Sequence, residues 1–93
     1  GKYGVRVNAI LPGSIYTPAT DDWCAAFENP QEKLNEVERW SWLNRLGTVK
    51  ECGDAIVFLA SNMSGFITGH DLLLTGGTEL GYGIKAPAKK RGK

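Results

Sequence analysis

Few side chains in this sequence are of types that do chemistry directly. Cys24 and Cys52 are thiols, able in principle to act as nucleophiles, metal ligands or redox partners, and His70 is the one imidazole. Their spacing argues against those jobs. There is no Cys-x-x-Cys pair and no cysteine near His70, so no zinc-type ligand spacing exists and no metal site is expected. A disulfide stays open, but two thiols in apolar-flanked segments with no secretory signal read as reduced, cytoplasmic cysteines. Cys52 reads as helix packing. The acids Asp21, Asp22, Glu28, Glu32, Glu36 and Glu38 read as a solvated face. What remains is chemistry of the backbone. Pro12 forces the residue before it out of the helical region, and Gly13 allows a tight turn with its backbone close to whatever lies beyond. A second pair, Gly76-Gly77, follows another apolar run, but no helix pattern follows it, so it is not a strand–glycine–helix phosphate turn.

The elements that must position these turns can be read from periodicity and caps. Val5 to Leu11 is β-branched and apolar at both ends, which suits a buried parallel strand. Thr20 or Asp21 could cap a short helix over Trp23 to Phe27. Asn29, Pro30 and Glu32 make a capping-box-like start for a helix in which Leu34, Val37 and Trp40 recur, running to about Leu43. Thr48-Val49-Lys50-Glu51 opens a third helix with an apolar face of Ala55, Ile56, Leu59 and Ala60, widened by Phe58. Asp71 to Thr75 is a second buried strand. Two such strands joined through helix form a βαβ unit with a right-handed crossover. Two parallel strands do not make a stable sheet alone. Together with an opening on Gly1 rather than Met, that predicts a piece of a longer domain.

Composition narrows the classes further. With 93 residues, 42% hydrophobic and 23% charged, the chain is an ordinary globular segment, and no apolar run reaches membrane-spanning length. The net charge of +1 conceals an asymmetry: Lys85, Lys89, Lys90, Arg91 and Lys93 form a basic tail, while residues 1–84 carry a net −4. Such a tail can attract phosphate or anionic lipid, but a solvated, disordered terminus over 85–93 is the expectation. No basic stripe with interleaved aromatics supports nucleic-acid binding.

Five phrases now carry a resemblance. Asn8-Ala9-Ile10-Leu11-Pro12-Gly13-Ser14-Ile15-Tyr16-Thr17-Pro18 resembles the segment that follows the sixth strand of short-chain dehydrogenases/reductases. Arg45-Leu46-Gly47, Phe58-Leu59-Ala60-Ser61, Phe66-Ile67-Thr68-Gly69 and the last strand with Gly76-Gly77 follow in that family's order. The resemblance covers about residues 3–77 and is to the C-terminal third of a classical-type member. It implies an α/β fold: the last two strands of a Rossmann-like doubly wound parallel sheet, with intervening lid and helices. Residues 1–84 would be this segment of the dehydrogenase domain, with a substrate lid over about 18–43.

The resemblance also implies a site. Pro12 and Gly13 match the turn that lets the backbone approach the nicotinamide of NAD or NADP. Ile15 matches the residue whose main chain holds the carboxamide, and Thr17 the hydroxyl that bonds carboxamide or pyrophosphate. The plain alternative is a strand-ending turn with a threonine cap. Asn8 is expected to bond neighbouring backbone, and Tyr16 to pack at the surface. Trp23, Phe27, Trp40 and Trp42 either exclude water on the lid or pack.

Departures matter equally. The family's glycine-rich turn is missing, Thr75 stands where Asp is common, and none of Tyr3, Tyr16 and Tyr82 has a Lys four residues later. The expected catalytic residues in this chain are therefore none, and the 93 residues alone should be inactive. The implied parent is a cytoplasmic oxidoreductase moving hydride between cofactor and a small alcohol or ketone, as a dimer or tetramer. The alternative is a non-catalytic interaction or assembly module of the same fold.

Overall fold

A computed structural model describes residues 1–81, so the basic tail expected over 85–93, and residues 82–84 of the segment before it, lie outside the described residues. The elements run β1 (Ala9–Pro12), α1 (Pro18–Ala25), α2 (Pro30–Glu38), α3 (Val49–Ala60) and β2 (Asp71–Leu74), with 3-10 turns at Asn62–Ser64 and Thr78–Leu80. β1 and β2 pair in parallel, Ala9 opposite Asp71 through Pro12 opposite Leu74. The α/β expectation holds, with the helices between the two strands in sequence.

β1 begins at Ala9, not Val5, because side chains and loop take the backbone groups upstream. The Val7 N–H donates to Thr68 Oγ1 at 3.1 Å, and the Gly69 N–H donates to Val7 O at 2.7 Å. Asn8 bonds neighbouring backbone as expected: its Nδ2 donates to Ile67 O at 3.1 Å and its Oδ1 accepts from the His70 N–H at 3.0 Å. β2 stops at Leu74, one residue earlier than expected.

The strands are not buried on both faces. Ile10, Leu72 and Leu74 are half-buried, Ile10 lining one recess with Ile56 and Leu59 of α3, while Leu11 and Leu73 are exposed. α3 starts at the Thr48 box as expected: the Glu51 N–H donates to Thr48 Oγ1 at 3.0 Å and the Thr48 N–H to Glu51 Oε1 at 2.9 Å. Its wide apolar face is only partly used, since Ile56 is 56% exposed and Ala60 is exposed as well.

The end of α3 is held from a distance. Arg6 Nη1 donates to Ser64 Oγ (3.1 Å) and Ile67 O (3.0 Å), and Nη2 donates to Leu59 O (3.1 Å) and Ser61 O (3.2 Å). These carbonyls belong to the last turn of the helix and the loop after it, where intrahelical partners run out.

The buried hydrophobic side chains among the described residues, Cys24, Val37 and Leu46, sit on α1, on α2 and just before α3. α1 and α2 pack as a hairpin. Trp23 and Phe27 meet edge to face at 4.9 Å between centroids, and Lys33 Nζ lies 4.4 Å from the Phe27 ring centre and 5.4 Å from that of Trp23. The cap of α1 is Thr17, with Pro18 at the first helical position, not Thr20 or Asp21. Thr20 is instead the third helical residue, and its Oγ1 accepts from the Thr17 N–H at 3.1 Å. α2 starts at Asn29 as expected, with Asn29 Oδ1 accepting from the Glu32 N–H at 3.2 Å. It ends at Glu38, not Leu43, because the Trp42 N–H leaves the helical pattern to bond Gly76 O at 2.8 Å. Cys24 and Cys52 are both free thiols.

Candidate functional site

The segment from Pro12 to Thr17 leaves the carboxyl end of β1, the edge where open parallel sheets bind ligands. Pro12 is the last strand residue. Gly13 continues the pairing, its N–H donating to Leu74 O at 2.9 Å. A side chain at Gly13 would place Cβ 3.1 Å from the Thr75 Cα, so the close approach of the two chains leaves little room for one.

Beyond the turn, Ile15 forms an isolated parallel bridge with Gly47. The Gly47 N–H donates to Ser14 O and the Tyr16 N–H donates to Gly47 O, both at 2.9 Å. In a parallel bridge the residue between those two bonds turns its own groups to the opposite edge. Among the described residues the Ile15 N–H has no partner, and the Ile15 carbonyl accepts one bond, from Thr20 Oγ1 at 3.3 Å, leaving its second lone pair open. Ile15 therefore presents one backbone donor and one backbone acceptor side by side, the pair a primary carboxamide takes.

Thr17 follows as the α1 cap, so the four sequence-predicted positions Pro12, Gly13, Ile15 and Thr17 lie along one short edge. Tyr16 projects from it. Its hydroxyl donates to Asp21 Oδ2 at 2.5 Å, and that bond holds the phenol above its ordinary pKa. A tyrosine acting as a proton donor needs the opposite shift, so Tyr16 is unsuited to that part. Thr75 is used locally: its hydroxyl donates to Glu79 and accepts from the Gly77 N–H at 3.2 Å.

Sequence reasoning left out the groups that hold Gly47. Arg45 and Glu51 form a two-pronged ion pair, Nη1 to Oε1 at 2.9 Å and Nη2 to Oε2 at 2.7 Å. Arg45 Nη1 also donates to Leu46 O at 3.0 Å. A small cavity behind the bridge, about 160 Å³, is lined by Ser14, Arg45, Gly47, Glu51, Thr75 and Gly76. Arg45 and Gly47 stood in one of the five phrases, but nothing local in the sequence pairs Arg45 with Glu51.

The Arg45 hydrogen bonds, followed by the Thr48 N–H, lower the Glu51 carboxyl to a pKa of about 2 from an ordinary 4.5. A depressed folded-state pKa means that the pairing stabilises fully above the ordinary carboxylate value and is lost as pH falls from there towards about 2. The Thr48 amide resonance should accordingly titrate with a midpoint near 2. A midpoint at the ordinary value of 4.5 would show the pair to be absent in solution.

Among the described residues no group of three or more His, Cys, Asp or Glu sits close enough to hold a metal ion, and no helix is long and apolar enough to cross a membrane.

Residues 1–79 match the family model described as enoyl-(acyl carrier protein) reductase. L-fucose dehydrogenase of Rattus norvegicus is 48% identical over 85 residues, which cover 91% of this chain and 31% of that protein. L-rhamnose 1-dehydrogenase (NAD(P)(+)) of Sphingomonas sp. (strain SKA58) is 43% identical over 77 residues, covering 83% of this chain and 29% of that protein. A solved short chain dehydrogenase family protein from Francisella tularensis superposes with a TM-score of 0.76 at 27% identity, covering 85% of this chain and 35% of that one. The chain thus spans about a third of the length of these relatives.

Proposed function

Because the chain belongs to the short-chain dehydrogenase/reductase family, we propose that it forms the nicotinamide-side loop, the substrate lid (about 18–43) and the closing strand of an NAD(P)-dependent oxidoreductase. The whole protein would interconvert an alcohol and a carbonyl compound, with an aldose as the alcohol. The observation that carries this reading is the outward edge of Ile15, one N–H unpaired among the described residues beside one half-used carbonyl.

Each part of the loop has a task under this reading. Pro12 and Gly13 bring the backbone close to the nicotinamide. The Ile15 N–H and C=O hold its carboxamide and so fix which ring face is turned to the substrate. Thr17 offers its hydroxyl to carboxamide or pyrophosphate. The bound nicotinamide supplies or takes up the hydride. The α1–α2 hairpin, rigidified by the Trp23, Phe27 and Lys33 stack, serves as the lid that excludes water. Proton handling falls to residues outside this chain, because Tyr3, Tyr16 and Tyr82 have no lysine four residues on and Tyr16 is engaged with Asp21. The 93 residues by themselves are therefore inactive.

The aldose is supported by the rat and Sphingomonas relatives, whose names specify L-fucose and L-rhamnose. Between NAD and NADP the chain makes no choice. A cytoplasmic setting accords with two free thiols. Assembly as a homo-oligomer, or the alternative of a non-catalytic assembly module, is favoured by the exposed Ile56, Val57 and Phe66.

The test is turnover of L-fucose and related aldoses by the whole protein with NAD+ or NADP+, followed by nicotinamide absorbance. Turnover is expected, and none with any aldose or simple alcohol would overturn the assignment. In that protein Thr17→Ala should weaken cofactor binding by about 1–2 kcal/mol, one lost hydrogen bond. Thr17→Ser should preserve it. Unchanged cofactor affinity in Thr17→Ala would remove Thr17 from the site.

A further inference from the structure

We propose that Arg45 and Glu51 are positioning residues for the cofactor: their ion pair locks Gly47 in place, and Gly47 in turn aims the outward edge of Ile15. This rests on the reading above that Ile15 receives the carboxamide.

An isolated bridge of two hydrogen bonds is weak support for a ligand-binding backbone. A single bridged residue lacks the flanking ladder that would hold its register. Here the flanks are held by a side-chain pair instead. On one side of Gly47, Arg45 Nη1 donates to Leu46 O at 3.0 Å. On the other, Glu51 Oε1 accepts from the Thr48 N–H at 2.9 Å. The same Oε1 accepts from Arg45 Nη1 at 2.9 Å, so one carboxylate oxygen joins the two flanks. The backbone of Arg45 is itself anchored, its O accepting from the buried Ser41 Oγ at 2.9 Å. Gly47 is left with both of its backbone groups directed at Ser14 and Tyr16.

The close fit at Gly47 points the same way. A Cβ there would lie 2.7 Å from Ile15 Cδ1, so the strap runs directly against the Ile15 side chain. The fork matters as well as the charge. A guanidinium can engage both carboxylate oxygens and the Leu46 carbonyl at once, whereas an ammonium is a point charge with no fixed plane.

The experiment is steady-state kinetics and thermal melting of the whole protein carrying Arg45→Met, Arg45→Lys, Glu51→Gln or the double variant Arg45→Met/Glu51→Gln. Each single variant should raise the cofactor KM about tenfold with a smaller change in kcat, and the double variant should resemble the singles, since the pair acts as a unit. The exchanged pair Arg45→Glu/Glu51→Arg should not regain the loss, since a carboxylate at 45 cannot donate to Leu46 O and a guanidinium at 51 cannot accept from the Thr48 N–H. A purely structural role would lower Tm and the folded fraction while leaving the cofactor KM of the folded enzyme unchanged, and that result would overturn the proposal. Should a variant fold poorly, hydrogen exchange of the Gly47 and Tyr16 amides in Glu51→Gln gives the answer below its melting temperature: faster exchange supports the lock, and unchanged exchange refutes it. Ile15→Pro separates the two readings. If removing the Ile15 N–H leaves the cofactor KM unchanged, the carboxamide assignment fails and the lock with it. If Ile15→Pro raises KM while the Arg45 and Glu51 variants do not, the assignment stands and the lock alone is wrong.

Discussion

Replacing Arg6 by alanine should cost about 3 kcal/mol of folding stability, the range expected when a charged side chain leaves several half-buried acceptors without partners. Arg6 has no carboxylate partner among the described residues; four oxygens of the α3 terminus and the loop after it take its hydrogens. Ser64, 1% exposed, stands inside the same cluster and donates to Leu59 O at 2.9 Å, so the guanidinium and the hydroxyl share the task of satisfying the last helical carbonyls. A cation at a helix C-terminus also meets the negative end of the helix dipole. The clamp ties the residues just before β1 to α3, across the long stretch of chain that contains α1 and α2. Arg6→Lys should recover less than half of the loss, since an ammonium cannot reach four acceptors on two sides. Urea denaturation of the whole protein measures both variants, and a loss below roughly 1 kcal/mol for Arg6→Ala would show that water replaces the clamp.

The contrast between Arg6 and the helix caps explains what could be read from sequence. Asn29 and Thr48 were legible because a cap and its partner lie three residues apart; both caps form, and at Thr48 the reciprocal bond from its own N–H to Glu51 closes the box. At α1 residue type alone suggested Thr20 or Asp21 ahead of Trp23; the spacing of Thr17 to Thr20, with Pro18 well suited to a first helical position, marks Thr17 as the cap, the alternative reading of that threonine. The end of α2 could not be read because the Gly76 carbonyl that takes the Trp42 N–H is supplied from far along the chain. The start of β1 was displaced for a similar reason, with Thr68, Gly69 and His70 occupying the groups of Val7 and Asn8. In the candidate site, the motif located the loop but not its supports. Gly47 lies opposite Ile15, and the Arg45–Glu51 pair beside it involves two residues whose spacing carries no cap or strand signal. Local spacing thus locates caps and turns, and tertiary hydrogen bonds decide where elements stop and which backbone groups stay open.

Gly76→Ala should destabilise the protein by about 2–4 kcal/mol, combining roughly 1–2 kcal/mol for a side chain in left-handed backbone with a cost for crowding of similar size. Gly76 has φ +62, and a Cβ on it would lie 2.9 Å from Ser41 Cβ and 3.2 Å from Ser41 Oγ. Ser41 has nowhere to retreat. It is buried, and its hydroxyl donates to Arg45 O, while the Gly76 carbonyl holds the next residue through the Trp42 N–H at 2.8 Å. Displacing Ser41 therefore moves the strap that carries Arg45 and Gly47, and on the proposed function the cofactor KM should rise along with the loss of stability. Gly77→Ala is the informative neighbour. Its φ of +85 is equally unsuited to a side chain, but the nearest atom to an added Cβ is Trp42 Cδ1 at 3.2 Å, part of a half-exposed side chain that can shift. It should cost only the backbone share, about 1–2 kcal/mol. Ser41→Gly tests the crowding term directly, because removing the Ser41 Cβ removes the collision and keeps the backbone strain. Gly76→Ala should then cost less in the Ser41→Gly background than in the wild type, by about the crowding share of 1–2 kcal/mol. Equal costs in the two backgrounds would mean that Ser41 is not what Gly76 makes room for, and the route from the Gly-Gly turn to the cofactor loop would have to run elsewhere.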